Sequence, residues 1–181
     1  MVYQQQKSGR LDVMHSLPIV CLLSLLAVEI PTTMAATPVK QAVAVRGLLL
    51  CGGRPEANVR LRLFRVQQKK KDDLNQMLDE KITTTQGTFL LEGNTNGFPL
   101  NETSMNPVVS IYHSCDEDIK NVDKNGYRKF DFHIPKDYVT MAAKPIKTYD
   151  LGKLNLQFIF PGENRVKKID EKPTKPNPRK L

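Results

Sequence analysis

The stretch AVAVRGLLLCGGRPEANVRLRLFRV, residues 42–66, decides how the rest of the chain must fold. Its first arm, 42–51, is rich in Val and Leu and ends at Gly52-Gly53, residues that accept φ > 0 without steric cost. Its second arm alternates, with Val59, Leu61 and Leu63 on one side and Arg60, Arg62 and Phe64 on the other. Period-2 alternation marks a strand with one buried and one wet face. An apolar sheet face must be covered, so a second sheet packed on the first is expected.

Beyond it, residues 67–81 (QQKKKDDLNQMLDEK) carry a basic run, then Leu74, Met77 and Leu78 at helical spacing behind Asp72, a capping residue type. A short helix or a long polar connection is expected there. Residues 82–93 (ITTTQGTFLLEG) read as a hairpin turning at Gln86-Gly87. A polar loop, 94–106, contains the N-glycosylation sequon Asn101-Glu102-Thr103. Residues 108–115 read as a strand and 116–126 as an acidic loop. In 127–135 Phe130, Phe132 and Ile134 alternate against Lys129, Asp131 and His133. Tyr138-Val139 add a short segment, and 151–160 place Leu154, Leu156, Phe158 and Phe160 on one face. About seven short strands, with at most one short helix, predict an all-β two-sheet sandwich.

The ends of the chain differ from this middle. LPIVCLLSLLAV, residues 17–28, is apolar throughout but shorter than the about 20 residues that span a bilayer. Lys7 and Arg10 precede it and small residues follow, so 1–35 is expected to be a secretory signal peptide, with Met14 an alternative start. Residues 36–41 form a linker, 42–163 the domain and 164–181 a tail. The tail segment 165–181 holds seven basic residues against Asp170 and Glu171, and three prolines. Such composition predicts a solvated disordered segment or an electrostatic handle. The expected protein is secreted and not membrane-spanning, and export argues against nucleic acid despite the formal charge of +8. Cys51 and Cys115 remain after export, as a disulfide between strand ends or as two buried thiols.

The order of these pieces resembles the nematode transthyretin-like family. The resemblance rests on Arg46-Gly47, Cys51-Gly52-Gly53-Arg54-Pro55, the alternation from Val59 to Phe64, and Asp72-Asp73-Leu74. It continues through Gly87-Thr88-Phe89, Asn106-Pro107, Ile111-Tyr112-His113 with Cys115, Arg128-Lys129-Phe130, Ile134-Pro135, Tyr138-Val139 and Leu151-Gly152. It implies a secreted, transthyretin-type sandwich. Two departures stand out. The cysteine common in the family before Arg-Lys is missing from 121–127, which leaves Cys51–Cys115 as the one intramolecular pairing, and the usual turn aspartate is Gln86.

The wider superfamily includes a 5-hydroxyisourate hydrolase, whose chemistry looks like it needs His and Arg in a cleft and a C-terminal Tyr-Arg-Gly-Ser. This chain ends Asn-Pro-Arg-Lys-Leu and carries only His113 and His133 after export. No base, orienting partner and oxyanion stabiliser can be assembled from the sequence, so no catalytic residue is expected. Asp116, Glu117, Asp118 and Asp123 lack EF-hand spacing, and the histidines and cysteines give no zinc set, so neither metal nor cofactor is expected. Arg60, Arg62, Lys69, Lys70 and Lys71 form the candidate contact, for anionic phospholipid headgroups or sulfated glycan; the family resemblance implies a bridge between a lipid such as phosphatidylserine and a protein receptor. The plainer reading of that patch is edge-strand protection. Expected functions are extracellular bridging or, alternatively, carriage of a small hydrophobic ligand or hormone.

Overall fold

Strand β1 (Ala42–Cys51) is paired along both edges and forms the axis of one sheet. On one edge it pairs antiparallel with β5 (Thr88–Asn94) and, at its last two residues, with β2 (Arg54–Pro55). On the other it runs parallel to β8 (Thr148–Asn155). A strand paired along both edges and buried on both faces favours a near-continuous apolar run, and Ala42, Val43, Ala44 and Val45 are all buried. In this computed structural model residues 39–66 and 72–170 are described; the expected leader, Lys69–Lys71 and 171–181 lie outside them.

The second sheet is antiparallel throughout, in the order β4 (Met77–Ile82), β3 (Arg60–Phe64), β6 (Val108–His113), β7 (Tyr127–His133), β9 (Asn164–Val166). One helix, α1 (Ile119–Asn125), links β6 to β7. Among the described residues, no helix is long and apolar enough to cross a membrane. The core lies between the sheets. Val43, Val45, Leu49 and Leu91 meet Leu61, Leu63, Val109, Ile111 and Phe130 there. Burial of each such side chain is worth about 1.5–3 kcal/mol. Cys51 and Cys115 form a disulfide with Cα atoms 5.7 Å apart, joining the end of β1 to the chain just beyond β6. It closes a separation of 64 residues, and chain entropy values such a loop at about 4 kcal/mol.

Several local expectations are corrected. The two arms of 42–66 lie in different sheets, β1 in one and β3 in the other, and only the two-residue β2 turns back on β1. Residues 74–76 make one 3-10 turn, capped by Asp73 rather than Asp72, before the chain extends as β4. Residues 82–93 are not a hairpin, because β4 pairs with β3 and β5 with β1. The chain changes sheets at Gly87, whose φ is +71 and where a Cβ would lie 2.3 Å from the Leu49 carbonyl oxygen. The helix falls in the acidic stretch and ends at Gly126, with φ +81 and no room for a Cβ beside Val166. The last long strand stops at Asn155, so Leu156 is buried while Phe158 is 67% exposed. Residues 164–166, read as tail, pair with β7.

Candidate binding face

The outer face of the five-stranded sheet carries the polar positions of the alternating strands: Arg60 and Arg62 from β3, Ser110 and Tyr112 from β6, Lys129 and Asp131 from β7. Register sets their neighbours. Arg62 faces Glu80 on one side and Ser110 on the other, Ser110 faces Asp131, and Tyr112 lies between Arg60 and Lys129. Cross-strand neighbours of this kind interact directly. The Arg62 guanidinium donates to Glu80 at 2.5 Å and to the Asp170 carbonyl at 2.6 Å. Arg60 stands 3.6 Å from the same Glu80 carboxylate. Ser110 donates to Asp131 at 2.6 Å, and Lys129 reaches Asp72 at 2.5 Å. The Tyr112 hydroxyl donates to Asp72, while Arg62 and Lys129 approach its ring at 5.5 and 5.6 Å. Burial and the accepting Asp72 carboxylate push the Tyr112 phenol well above the usual range.

This face is therefore not the wet one that alternation predicts. Arg62 is 1% exposed and Lys129 is buried, because Asp72 and residues 166–170 lie across the sheet. Asp72, Tyr112, Lys129, Asn164, Val166 and Asp170 border a hollow of about 230 Å³ between sheet and cover. The strand arginines are already paired. Of the predicted basic contact, Arg62 is withdrawn from solvent and Arg60 is half-buried beside Glu80. Tyr112, Lys129, Asp72 and Glu80 were not legible as one network. A signal existed in the opposite charges at the outward positions of β3, β4 and β7, but the pairing that joins them is set only by register.

At one end of the sandwich, Arg128 faces inward. It donates to the carbonyls of Leu156 and Phe158 and to both carboxylate oxygens of Glu163, at 2.6–3.0 Å. Partial burial works to raise the Glu163 pKa, but Arg128 and the Phe160 N–H outweigh it and hold it below the usual carboxylate range. His113 lies beside this group, 2% exposed, with Phe130 edge-on at 5.9 Å. Neither of its ring nitrogens is hydrogen-bonded among the described residues. Burial, reinforced by Arg128, lowers its pKa to about 4. His133 is exposed. Cys51, Cys115 and Asp116 lie close together, but both sulfurs are in the disulfide and cannot ligate a metal as thiolates. Within the acidic stretch, Asp116 accepts from Gln157 and Glu117 pairs with Arg165. Asn101 is exposed on a 3-10 turn.

Residues 46–135 match the sequence profile of the transthyretin-like family. Transthyretin-like protein 46 of Caenorhabditis elegans is 38% identical over 125 residues, covering 69% of this chain and 65% of that protein. Transthyretin-like proteins 33 and 5 of the same organism are 33% and 30% identical over 125 residues, each over 69% of this chain and over 80% and 83% of their own lengths. The chain thus spans just under two thirds of the first relative and four fifths or more of the other two.

Proposed function

Because the chain belongs to the transthyretin-like family, we propose that it is a secreted, non-enzymatic recognition protein that meets an anionic surface through lysines outside its paired strands. Bridging between a lipid such as phosphatidylserine and a protein receptor is the form this reading takes. The observation that carries it is the placing of Asp72 and Asp170 on one sheet face. Lys71 directly precedes Asp72, and the basic residues Lys172, Lys175, Arg179 and Lys180 follow Asp170. Two basic runs far apart in sequence thus join the fold at the same face. Anionic headgroups attract clustered lysines by about 1 kcal/mol each near the surface. The disulfide suits an oxidising, extracellular setting.

Two features support a non-enzymatic role. Among the described residues His113 has no hydrogen-bond partner to orient it as a base, and it stays neutral down to about pH 4. Arg128 beside it is committed to carbonyls and Glu163. Carriage of an apolar ligand has weaker support, since a hollow of about 680 Å³ is lined by Asp73, Glu92, Glu102, Asn94 and Asn96 among others.

Co-sedimentation of the mature protein with phosphatidylserine-containing and pure phosphatidylcholine vesicles tests the reading. Binding is expected only to the anionic vesicles, and it should weaken as salt rises, because screening acts over about 8 Å at physiological ionic strength. Replacing Lys69, Lys70 and Lys71 by Ala should weaken it about tenfold or more. Absence of binding at low salt overturns it.

A further inference from the structure

The connection from β7 to β8, residues 134–147, crosses from one sheet to the other at the end of the sandwich opposite the disulfide. It is pinned at its middle. Thr140 exchanges two backbone hydrogen bonds with Ala42, at 2.8 and 2.9 Å, and its hydroxyl accepts the Ile146 N–H at 3.1 Å. Tyr138 packs edge-on against Tyr149 at 4.7 Å, with Val139 against the core. A connection held so firmly would ordinarily turn its apolar side chains inward. Here Met141 is 62% and Ile146 81% exposed, and Val39, led in by the strand that Thr140 bridges, is also exposed.

Lysines interleave with these apolar side chains: Lys40 beside Val39, Lys136 at the start of the connection, and Lys144 and Lys147 on either side of Ile146. Lys40 is half-buried and the other three are exposed. Among the described residues none of the four has a carboxylate within ion-pairing distance. The carboxylates of the neighbourhood are Asp137, on the connection, Glu92, which lines a hollow with Lys144, and, around Glu92, Asp73, Asp79 and Glu102, of which Asp79 pairs with Lys81 and Glu102 with Arg65. Arg60, Arg62, Arg128 and Arg165 of the sheets and Arg65 just beyond β3, by contrast, are matched to Glu80, Glu163, Glu117 and Glu102.

We propose that this end of the sandwich is a membrane-docking surface, in which Ile146, Met141 and Val39 enter the interfacial layer of an anionic bilayer while Lys40, Lys136, Lys144 and Lys147 meet its headgroups. Long lysine stems suit that role, placing charge at headgroup depth while their methylenes cover apolar surface. The excess of positive charge favours a lipid of negative charge, and protruding rather than recessed apolar side chains favour a deformable layer over a shaped protein pocket. The opposite end also exposes apolar groups, Phe158 and Ile159, but Asp116, Glu117 and Asp118 belong to that end and Asp116 raises the pKa of Glu56 behind burial. It is the built-in control. The docking surface rests on the lipid-surface reading above and adds a second place of contact, with its depth.

The chain contains no tryptophan, so Ile146→Trp and Phe158→Trp each introduce a single reporter at an exposed site. With phosphatidylserine/phosphatidylcholine vesicles, the emission of Ile146→Trp should shift to shorter wavelength and be quenched by brominated acyl chains, and that of Phe158→Trp should stay as in water. Lys144→Glu with Lys147→Glu should weaken vesicle partition at least tenfold. If the protein sediments with anionic vesicles while the emission of Ile146→Trp is unchanged, or if the shift is as large on pure phosphatidylcholine, this docking surface is wrong and the wider lipid reading stands. If nothing sediments at low salt, both fall. Capture by a sulfated glycan column without any vesicle-induced shift also counts against it.

Discussion

Arg128 organises one end of the molecule by filling four acceptor oxygens from one planar group. Its guanidinium fixes the carbonyls of Leu156 and Phe158 and the Glu163 carboxylate, which is why the chain turns there and Phe158 faces water. Replacing it by Met removes the donors and leaves the mostly buried Glu163 charge without its partner. The expected loss is about 3–5 kcal/mol in urea unfolding, and Arg128→Lys should recover little, because an ammonium cannot span the fork. His113 adds a pH term. Its folded pKa, about 4, lies below the ordinary 6.5, so between those values the unfolded chain binds a proton that the folded one refuses. Stability from this group is complete above pH 6.5 and declines as pH falls toward 4, by about 3 kcal/mol in all. The groups facing it are Arg128, Glu163, Arg165 and Glu117. The stability of the wild type should fall relative to that of His113→Leu as pH drops through this window; a difference that stays constant with pH would remove His113 as the cause.

At the level of elements, the change of sheets between β4 and β5 hangs on Gly87. Gly87→Ala places a methyl group against the Leu49 carbonyl at a left-handed φ, and a loss of about 1–3 kcal/mol is expected in thermal unfolding. What could be read ahead divides along the same line. Strands β1, β3, β6 and β7 were legible because each carries its own apolar period. β4 was not, since Leu74, Met77 and Leu78 mimic a helix; its extended form comes from pairing with β3, where Glu80 meets Arg62. Tertiary pairing outweighed local preference. The covered face was hidden for a similar reason. Arg-Leu-Arg-Leu reads as wet and dry sides, and only the return of Asp72 and residues 166–170 across the sheet makes Arg62 a buried group. The positions of Cys51 and Cys115 at strand ends, by contrast, were visible as positions, and their union follows from the packing of the two sheets.

Across the full sandwich, the disulfide and the interior act together. Cys51→Ser with Cys115→Ser should lower unfolding stability by about 2–5 kcal/mol while leaving the β-type circular dichroism in place, because the core of Val43, Leu61, Leu91, Ile111 and Phe130 survives without the link. The charge of the chain then separates into two populations. Arginines of the sheets, with Lys129, hold the fold together, and exposed lysines on the connections are left to meet a partner. The sharpest check on that division is acetylation of lysine amines, read by mass spectrometry with and without anionic vesicles. Lys129 should be unreactive in both states, and Lys136, Lys144, Lys147 and Lys69–Lys71 should react freely in solution and be protected on vesicles. Reactive Lys129, or vesicle protection confined to Lys120, Lys124 and Lys153, would contradict it.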